Sequence, residues 1–238
     1  MRRKWDSSML AWTSRSFFDI RTDRPRPTLP VRVKILLLHR FAKPVAFALA
    51  LLPFCWLLLA AGTQQLGANP AEALSRATGD WTLRFLCLVL ALTPLRVMTG
   101  TAALARFRRM LGLFVYFYAL LHLLCYSWFD MGFNAADIAK DIAKRPFILV
   151  GFSAFLLLTP LALTSFNRAI KTLGARRWRL LHKLIYAVAA LAILHFFWMR
   201  AGKNNFAEVF VYALVLGVLL AWRWFQFMKR KVSWIVPG

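Results

Sequence analysis

Six runs of mostly apolar residues, each about as long as a bilayer is thick, dominate the chain. They lie near 44–61, 82–98, 111–129, 147–165, 182–199 and 206–227, and a membrane-spanning α-helix needs about 20 such residues. The stretches between them are short and polar. The pattern therefore predicts an all-α integral membrane protein, a six-transmembrane-helix bundle with no room for a second folded domain over residues 34–231. Lys43-Pro44 puts a proline in the first turn of the first helix, where its missing N–H costs nothing. Pro94 falls inside the second helix, so it should kink that helix and free a carbonyl that the bundle must satisfy. The 130–146 segment carries Asp130, Asp137, Lys140, Asp141, Lys144 and Arg145 among apolar residues and has the makings of a short amphipathic turn. No internal repeat and no low-complexity tract stands out.

Composition agrees: 60% of residues are hydrophobic, only 17% are charged, and the mean hydropathy is +0.56. A soluble domain has about 45–50% apolar and 25% charged residues, so that class is excluded. The net charge of +23 would suit nucleic acid, but its distribution argues otherwise. Eleven Lys/Arg fall in 1–43, four in 96–109, six in 166–183 and four from Arg223 onward, with only Asp6, Asp19 and Asp23 against them. The other three connections hold seven basic and six acidic residues. This is the positive-inside bias, and it predicts that both termini are cytoplasmic. Anionic membrane lipid accounts for the basic side, and no nucleic acid is needed.

Residues 1–33 read as a basic cytoplasmic extension, expected to be mobile, and 232–238 as a tail. Arg2-Arg3-Lys4 is followed by mixed polar sequence, so no cleavable signal peptide is expected. Cys55, Cys87 and Cys125 each lie alone in a different apolar run without CxxC spacing, and are read as small buried hydrophobes.

The histidines carry the chemistry. An ionisable group at depth in a membrane is costly and therefore a functional candidate. His122 lies in the third run and His195 in the fifth, and these two helices run parallel. At about 1.5 Å of rise per residue, the two imidazoles fall within about 5 Å of one height, in the outer half of the bilayer. Two imidazoles at one depth suit the axial ligands of a b-type haem, because neutral imidazole is a strong iron ligand and bundle cores hold such cofactors. The bland alternative is a pair of polar residues hydrogen-bonding across helices.

His182 lies about 20 Å below His195, a separation that suits a second haem, yet about 140° around an ideal helix from it. The residue 13 before His122 is Arg109, so on spacing alone that haem lacks a second histidine. Arg109 instead suits an anionic group such as a haem propionate or a flavin or lipid phosphate. The other reading of His182 is an interfacial residue in a basic loop, as His39 is among Arg40 and Lys43. Phe114, Phe117 and Trp128 are read as packing and interface belt.

Three rival functions follow from the same residues. One is a stand-alone quinol or ferric-ion reductase. Another is a haemless proton-coupled transporter with His122 and His195 as relay groups, disfavoured because the third and fifth helices lack a carboxylate. The third is a structural assembly subunit.

Arg108-Arg-Met-Leu-Gly-Leu with His122 downstream, Leu173-Gly-Ala-Arg-Arg-Trp-Arg-Leu-Leu-His182 and Leu194-His195-Phe-Phe-Trp together resemble the MsrQ family. Gly67-Ala-Asn-Pro and Lys144-Arg-Pro-Phe fit as well, and the likeness covers about residues 45–228. The resemblance implies a ferric-reductase-like transmembrane domain, related to the membrane part of NADPH oxidases, in the bacterial inner membrane. It implies b haem held by His122, His195 and His182, and an associated FMN. It further implies electrons drawn from the quinone pool or a cytosolic flavin reductase. These would pass to a periplasmic molybdopterin subunit that reduces methionine sulfoxide in envelope proteins. The chain has no Gly-rich nucleotide loop after a strand, so any flavin must sit in the bundle or at the basic loops. It has no nicotinamide-binding domain either, so the electron donor is external.

Overall fold

The computed structural model describes residues 30–201 and 206–235. A short helix α1 (Val31–Leu38) leads into α2 (Ala42–Gly62), α3 (Pro70–Thr99), α4 (Arg108–Cys125), α5 (Ala135–Lys144), α6 (Pro146–Leu163), α7 (Asn167–Leu181), α8 (Leu184–Ala201) and α9 (Ala207–Ile235). A 3₁₀ segment, Ala102–Phe107, precedes α4, and one π-helical turn, Tyr126–Asp130, continues it. No strand occurs among the described residues, and six helices are long and apolar enough to cross a membrane. The protein is a multi-pass membrane protein. The extension expected over 1–33 lies outside the described residues as far as residue 29, and α9 carries helix to Ile235, past the end expected near 227.

The bundle surface is what lipid requires. Trp56, Leu59, Phe210, Val218 and Trp224 are all more than half exposed, which water would penalise and acyl chains do not. Cys55 belongs to this surface, whereas Cys87 and Cys125 are half-buried; all three are free thiols. Cys55 is therefore not the buried residue expected from sequence, because an apolar residue in lipid need not face the core. The core lies between α3, α4 and α9, where Tyr118, Leu86, Leu90, Val115 and Leu216 are almost fully enclosed.

The second span starts much earlier than the expected residue 82. Asn69 caps α3 by accepting from the Glu72 N–H at 3.2 Å, and Pro70 opens its first turn. These cap signals extend the helix through polar sequence that hydropathy alone reads as loop. At its other end Gly100, at φ 62°, closes α3 in the left-handed conformation. The amphipathic turn expected near 130–146 is α5, capped by Asn134.

Two proline kinks are repaired by side chains from other helices. Pro94 offers no N–H to the Leu90 carbonyl, and Arg223 of α9 donates Nη2–H to that carbonyl at 2.7 Å. The freed carbonyl expected at Pro94 is thus satisfied within the bundle. In α2, beside Pro53, the Tyr118 hydroxyl accepts from the Phe54 N–H (3.2 Å) and donates to the Ala50 carbonyl (2.9 Å). It inserts into the helix ladder where the proline loosens it. Tyr118→Phe is expected to lower the unfolding free energy by about 1–3 kcal/mol, the cost of stranding buried polar groups. Denaturant titration in mixed micelles measures this, and an unchanged midpoint would mean that Phe54 and Ala50 simply re-pair.

Charge divides the bundle into two ends. All six carboxylates among the described residues (Glu72, Asp80, Asp130, Asp137, Asp141 and Glu208) lie toward one end. The other end, called basic below, carries Arg96, Arg106, Arg108, Arg109 and the arginine-rich α7. Helix α7 turns at Gly174, at φ 74°, and is tied to the end of α6 where Trp178 Nε1–H donates to the Thr164 carbonyl at 2.9 Å.

Candidate cofactor site

Within the bundle, α3 packs closely on α4 and α6 on α8. Each pair holds one histidine in the same way. His122 on α4 places Nδ1 2.8 Å from the Ser75 carbonyl of α3, and His195 on α8 places Nδ1 2.7 Å from the Phe147 carbonyl of α6. A carbonyl only accepts, so each Nδ1 carries the proton and each Nε2 keeps its lone pair. The carbonyl that orients a histidine in this manner is the usual outer partner of a metal-ligating imidazole.

Both carbonyls are already spanned by their own helix, yet a second donor reaches them because glycine follows one turn later. Gly79 comes four residues after Ser75 and Gly151 four after Phe147. A side chain at i+4 leans back over the carbonyl at i, and glycine leaves that approach open. A Cβ at Gly79 would meet the His122 ring at 3.3 Å, and one at Gly151 would meet His195 Nδ1 at 2.7 Å. Sequence reading found the histidines but not these carbonyls and glycines. The available signal was Gly151 inside an apolar run; Gly79 lies in the polar stretch before the second run, where nothing marked it. The two pairs also form a structural likeness that the residues do not advertise as a repeat.

The two rings lie edge to face, with centroids 6.2 Å apart at an interplanar angle of 74°. With the rings this close, His122 and His195 are the residues that would hold a metal-bearing group between α4 and α8. Both histidines line a cavity of about 530 Å³. Its walls are apolar, with Leu86, Val115, Phe155, Leu158 and Val188 among them, and toward the carboxylate end it is edged by Arg76, Arg145 and Arg200. Those arginines are paired with Glu72, Asp141 (2.9 Å) and Glu208. An apolar slot lined by two imidazoles, with Arg76, Arg145 and Arg200 among Glu72, Asp80 and Asp130 at one edge, fits a flat, largely apolar group that carries a metal and polar substituents. The residues present fit haem on these grounds.

His182 is not part of this cavity. It sits between α7 and α8, stacked on Trp178 with centroids 3.9 Å apart, its Nδ1 3.1 Å from the Trp178 carbonyl. Its Nε2 is shut away from solvent, and the Leu161 backbone carbonyl also acts on the ring. Burial, together with the charge of Arg108 nearby, holds the imidazole below the ordinary histidine pKa, and the bond to Trp178 opposes this. It is therefore neutral at pH 7. The arginine beside it is Arg108, not Arg109, which donates to Asn167 Oδ1 at 2.8 Å on the exposed side. One residue is 100° of helical turn, which separates the arginine facing the bundle from the one facing α7.

Residues 78–193 match the family model described as "Ferric reductase like transmembrane component". The match takes in Gly79, His122, Gly151 and His182 and stops two residues short of His195. Among curated relatives, the "Protein-methionine-sulfoxide reductase heme-binding subunit MsrQ" of Polaromonas naphthalenivorans is 72% identical over 200 residues, covering 83% of this chain and 91% of its own. The chain belongs to the MsrQ family. The MsrQ proteins of Herminiimonas arsenicoxydans and Ralstonia nicotianae are 53% and 50% identical, over 79% and 84% of this chain and 87% and 92% of theirs. No solved structure matches the chain. The likeness to MsrQ proteins thus covers about four fifths of the chain, well beyond the extent of the segment that the ferric-reductase model covers.

Proposed function

We propose that this chain is the haem-carrying electron-transfer subunit of a bacterial methionine sulfoxide reductase system, with His122 and His195 as the axial ligands of a b-type haem. The observation that carries the reading is the pair of imidazoles that line one largely apolar cavity, with both Nδ1–H groups fixed on backbone carbonyls and the Nε2 lone pairs left free. The names of the relatives, which include "heme-binding subunit", support it independently. Haem bound there supplies one-electron chemistry at its iron. The protein's part is to hold the imidazoles in one tautomer, exclude water with Leu86, Val115 and Leu158, and face acidic substituents with Arg76, Arg145 and Arg200.

The asymmetry of charge orients the bundle with its basic end and both termini in the cytoplasm, in the inner membrane. The histidine pair then lies toward the periplasm, next to a periplasmic molybdopterin-containing reductase subunit as acceptor. The donor is the quinone pool or a cytosolic flavin reductase. His182, neutral and with a buried Nε2, is the residue for a second haem nearer the cytoplasm. FMN rests on the family resemblance alone, and no step is assigned to it.

The test is a reduced-minus-oxidised absorption spectrum with a pyridine haemochrome count on the purified protein. A low-spin b-type signal is expected, and His182→Ala should keep the part of it that belongs to the His122–His195 site. A well-folded but colourless protein would sink the proposal and bring back the transporter reading.

A further inference from the structure

The segment Lys144-Arg-Pro-Phe joins α5 to α6. Pro146 opens α6 and disfavours helical backbone at the residue before it, so Arg145 stands extended (φ −109°, ψ 104°) between the two helices. Phe147, the residue after the proline, offers its carbonyl to His195 Nδ1. An arginine and the carbonyl that orients a ligand imidazole are thus two residues apart on one proline-stiffened stretch. Both Arg145 and Phe147 line the cavity.

Arg145 is also braced. Its backbone N–H donates to the Asp141 carbonyl at 3.0 Å, and its Nε lies 2.9 Å from Asp141 Oδ1. The other carboxylate oxygen, Oδ2, accepts from the Tyr126 hydroxyl at 2.8 Å. With both oxygens engaged and only 11% of its side chain exposed, Asp141 is fixed, and it holds the guanidinium through Nε alone. The two Nη nitrogens, the outer fork of the guanidinium, have no hydrogen bond or ion pair among the described residues. Asp130 lines the same edge of the cavity but makes no ion pair with Arg145. Arg76 and Arg200 differ. Each already gives Nη2 to a carboxylate, Glu72 or Glu208, and Arg200 also lies 5.2 Å over the Phe196 ring.

We propose that Arg145 binds a carboxylate of the group held in the cavity, and that Asp141 is its positioning residue. The inference rests on the haem reading above and adds which of the three edge arginines takes the acidic substituent. A planar fork with uncommitted donors matches a carboxylate in geometry and charge. Bracing through Nε fixes the direction of that fork and uses none of its donors. Because Phe147 follows two residues later, the same stretch ties the carboxylate to the His195 ring.

The experiment compares haem with its dimethyl ester, in which both carboxylates are capped, by absorbance titration in one detergent. The haem-free protein carries His182→Ala throughout, so that a single site is read. With the cavity otherwise unchanged, haem should bind more tightly than the ester. Arg145→Gln should shrink that ratio about tenfold, as loss of a charge-assisted contact does, with ester affinity unchanged. Arg145→Lys keeps the charge without the fork and should retain part of the ratio, which separates lost recognition from misfolding. Asp141→Asn should shrink the ratio by a smaller factor and again spare the ester, whereas a purely structural role would weaken both ligands alike. Arg76→Gln and Arg200→Gln should each leave most of the ratio intact. Equal losses of haem and ester in Arg145→Gln would overturn the assignment. So would equal shrinkage in all three arginine variants, the mark of a diffuse positive edge. If the unsubstituted cavity takes up haem and ester equally well, this inference alone fails; if it takes up neither, the haem reading fails with it.

Discussion

His195→Ala and His122→Ala are each expected to abolish the low-spin b-type spectrum of the His122–His195 site, with haem content at that site falling below detection in the haemochrome count. Removing an outer-shell partner of a metal ligand typically costs 10–100-fold in affinity, and these substitutions remove the ligand and its carbonyl bond together. The remaining imidazole cannot compensate from its own helix, because its Nδ1 is held by Ser75 or Phe147 and its ring cannot swing across the cavity. Each substitution also leaves space of imidazole size beside a helix that has not moved. Added imidazole should therefore restore part of the signal in either variant, which separates loss of a ligand from loss of the fold. Retention of a full low-spin spectrum in His195→Ala would remove this residue from the site, whatever the family resemblance implies.

The sequence made the histidine pair readable because depth is a one-dimensional quantity. Counting residues from the ends of two parallel apolar runs puts His122 and His195 at one height, and the rings are 6.2 Å apart. The open carbonyl at Leu90 was readable for a similar reason: proline removes a donor wherever it occurs, though nothing local named Arg223 as the group that replaces it. Rotation around a helix was less legible than depth. Arg108 and Arg109 are neighbours in sequence, and only packing decides that Arg109 turns to Asn167 while Arg108 lies on the side of His182. The start of α3 was missed because hydropathy ignores caps, although Asn69, Pro70 and Glu72 spell one out. That omission mattered, since the polar first turns of α3 contain Ser75, whose carbonyl orients His122.

Backbone atoms were the least visible part of the site. Two of the four groups that define it are peptide carbonyls, which every residue has, so no residue type announces them. What marks them is the glycine one turn later, and glycine is also common in membrane helices simply because it lets two backbones pack closely. The two helix pairs nonetheless solve one problem identically. A ligand imidazole needs an acceptor at Nδ1, a backbone carbonyl of the neighbouring helix supplies it, and glycine at i+4 leaves room for the ring to reach that carbonyl.

Gly151→Ala is accordingly expected to damage the site far more than its size suggests. The added Cβ would lie 2.7 Å from His195 Nδ1, 2.8 Å from Cε1 and 3.1 Å from Cγ, so the ring or the α6 backbone must yield. The ring has nowhere to go without breaking its 2.7 Å bond to Phe147, which would leave Nδ1 unpaired and unfix the tautomer. A fall in haem affinity of at least about tenfold is expected, in line with loss of an outer-shell partner. Gly79→Ala should act in the same direction but more weakly, because its Cβ would approach His122 only to 3.3 Å and a few tenths of an ångström relieve it. Fold and site should respond to different degrees. Alanine is the better helix former by about 1 kcal/mol, so the haem-free bundle should be no less stable in Gly79→Ala and should lose less in Gly151→Ala than the haem site does. Haem titration followed by absorbance, with thermal unfolding of the haem-free protein alongside, reads both effects. If Gly151→Ala binds haem as tightly as the wild type, the glycine is not what opens the Phe147 carbonyl. Loss of binding accompanied by an equal loss of stability would place the damage in the packing of α6 on α8 instead.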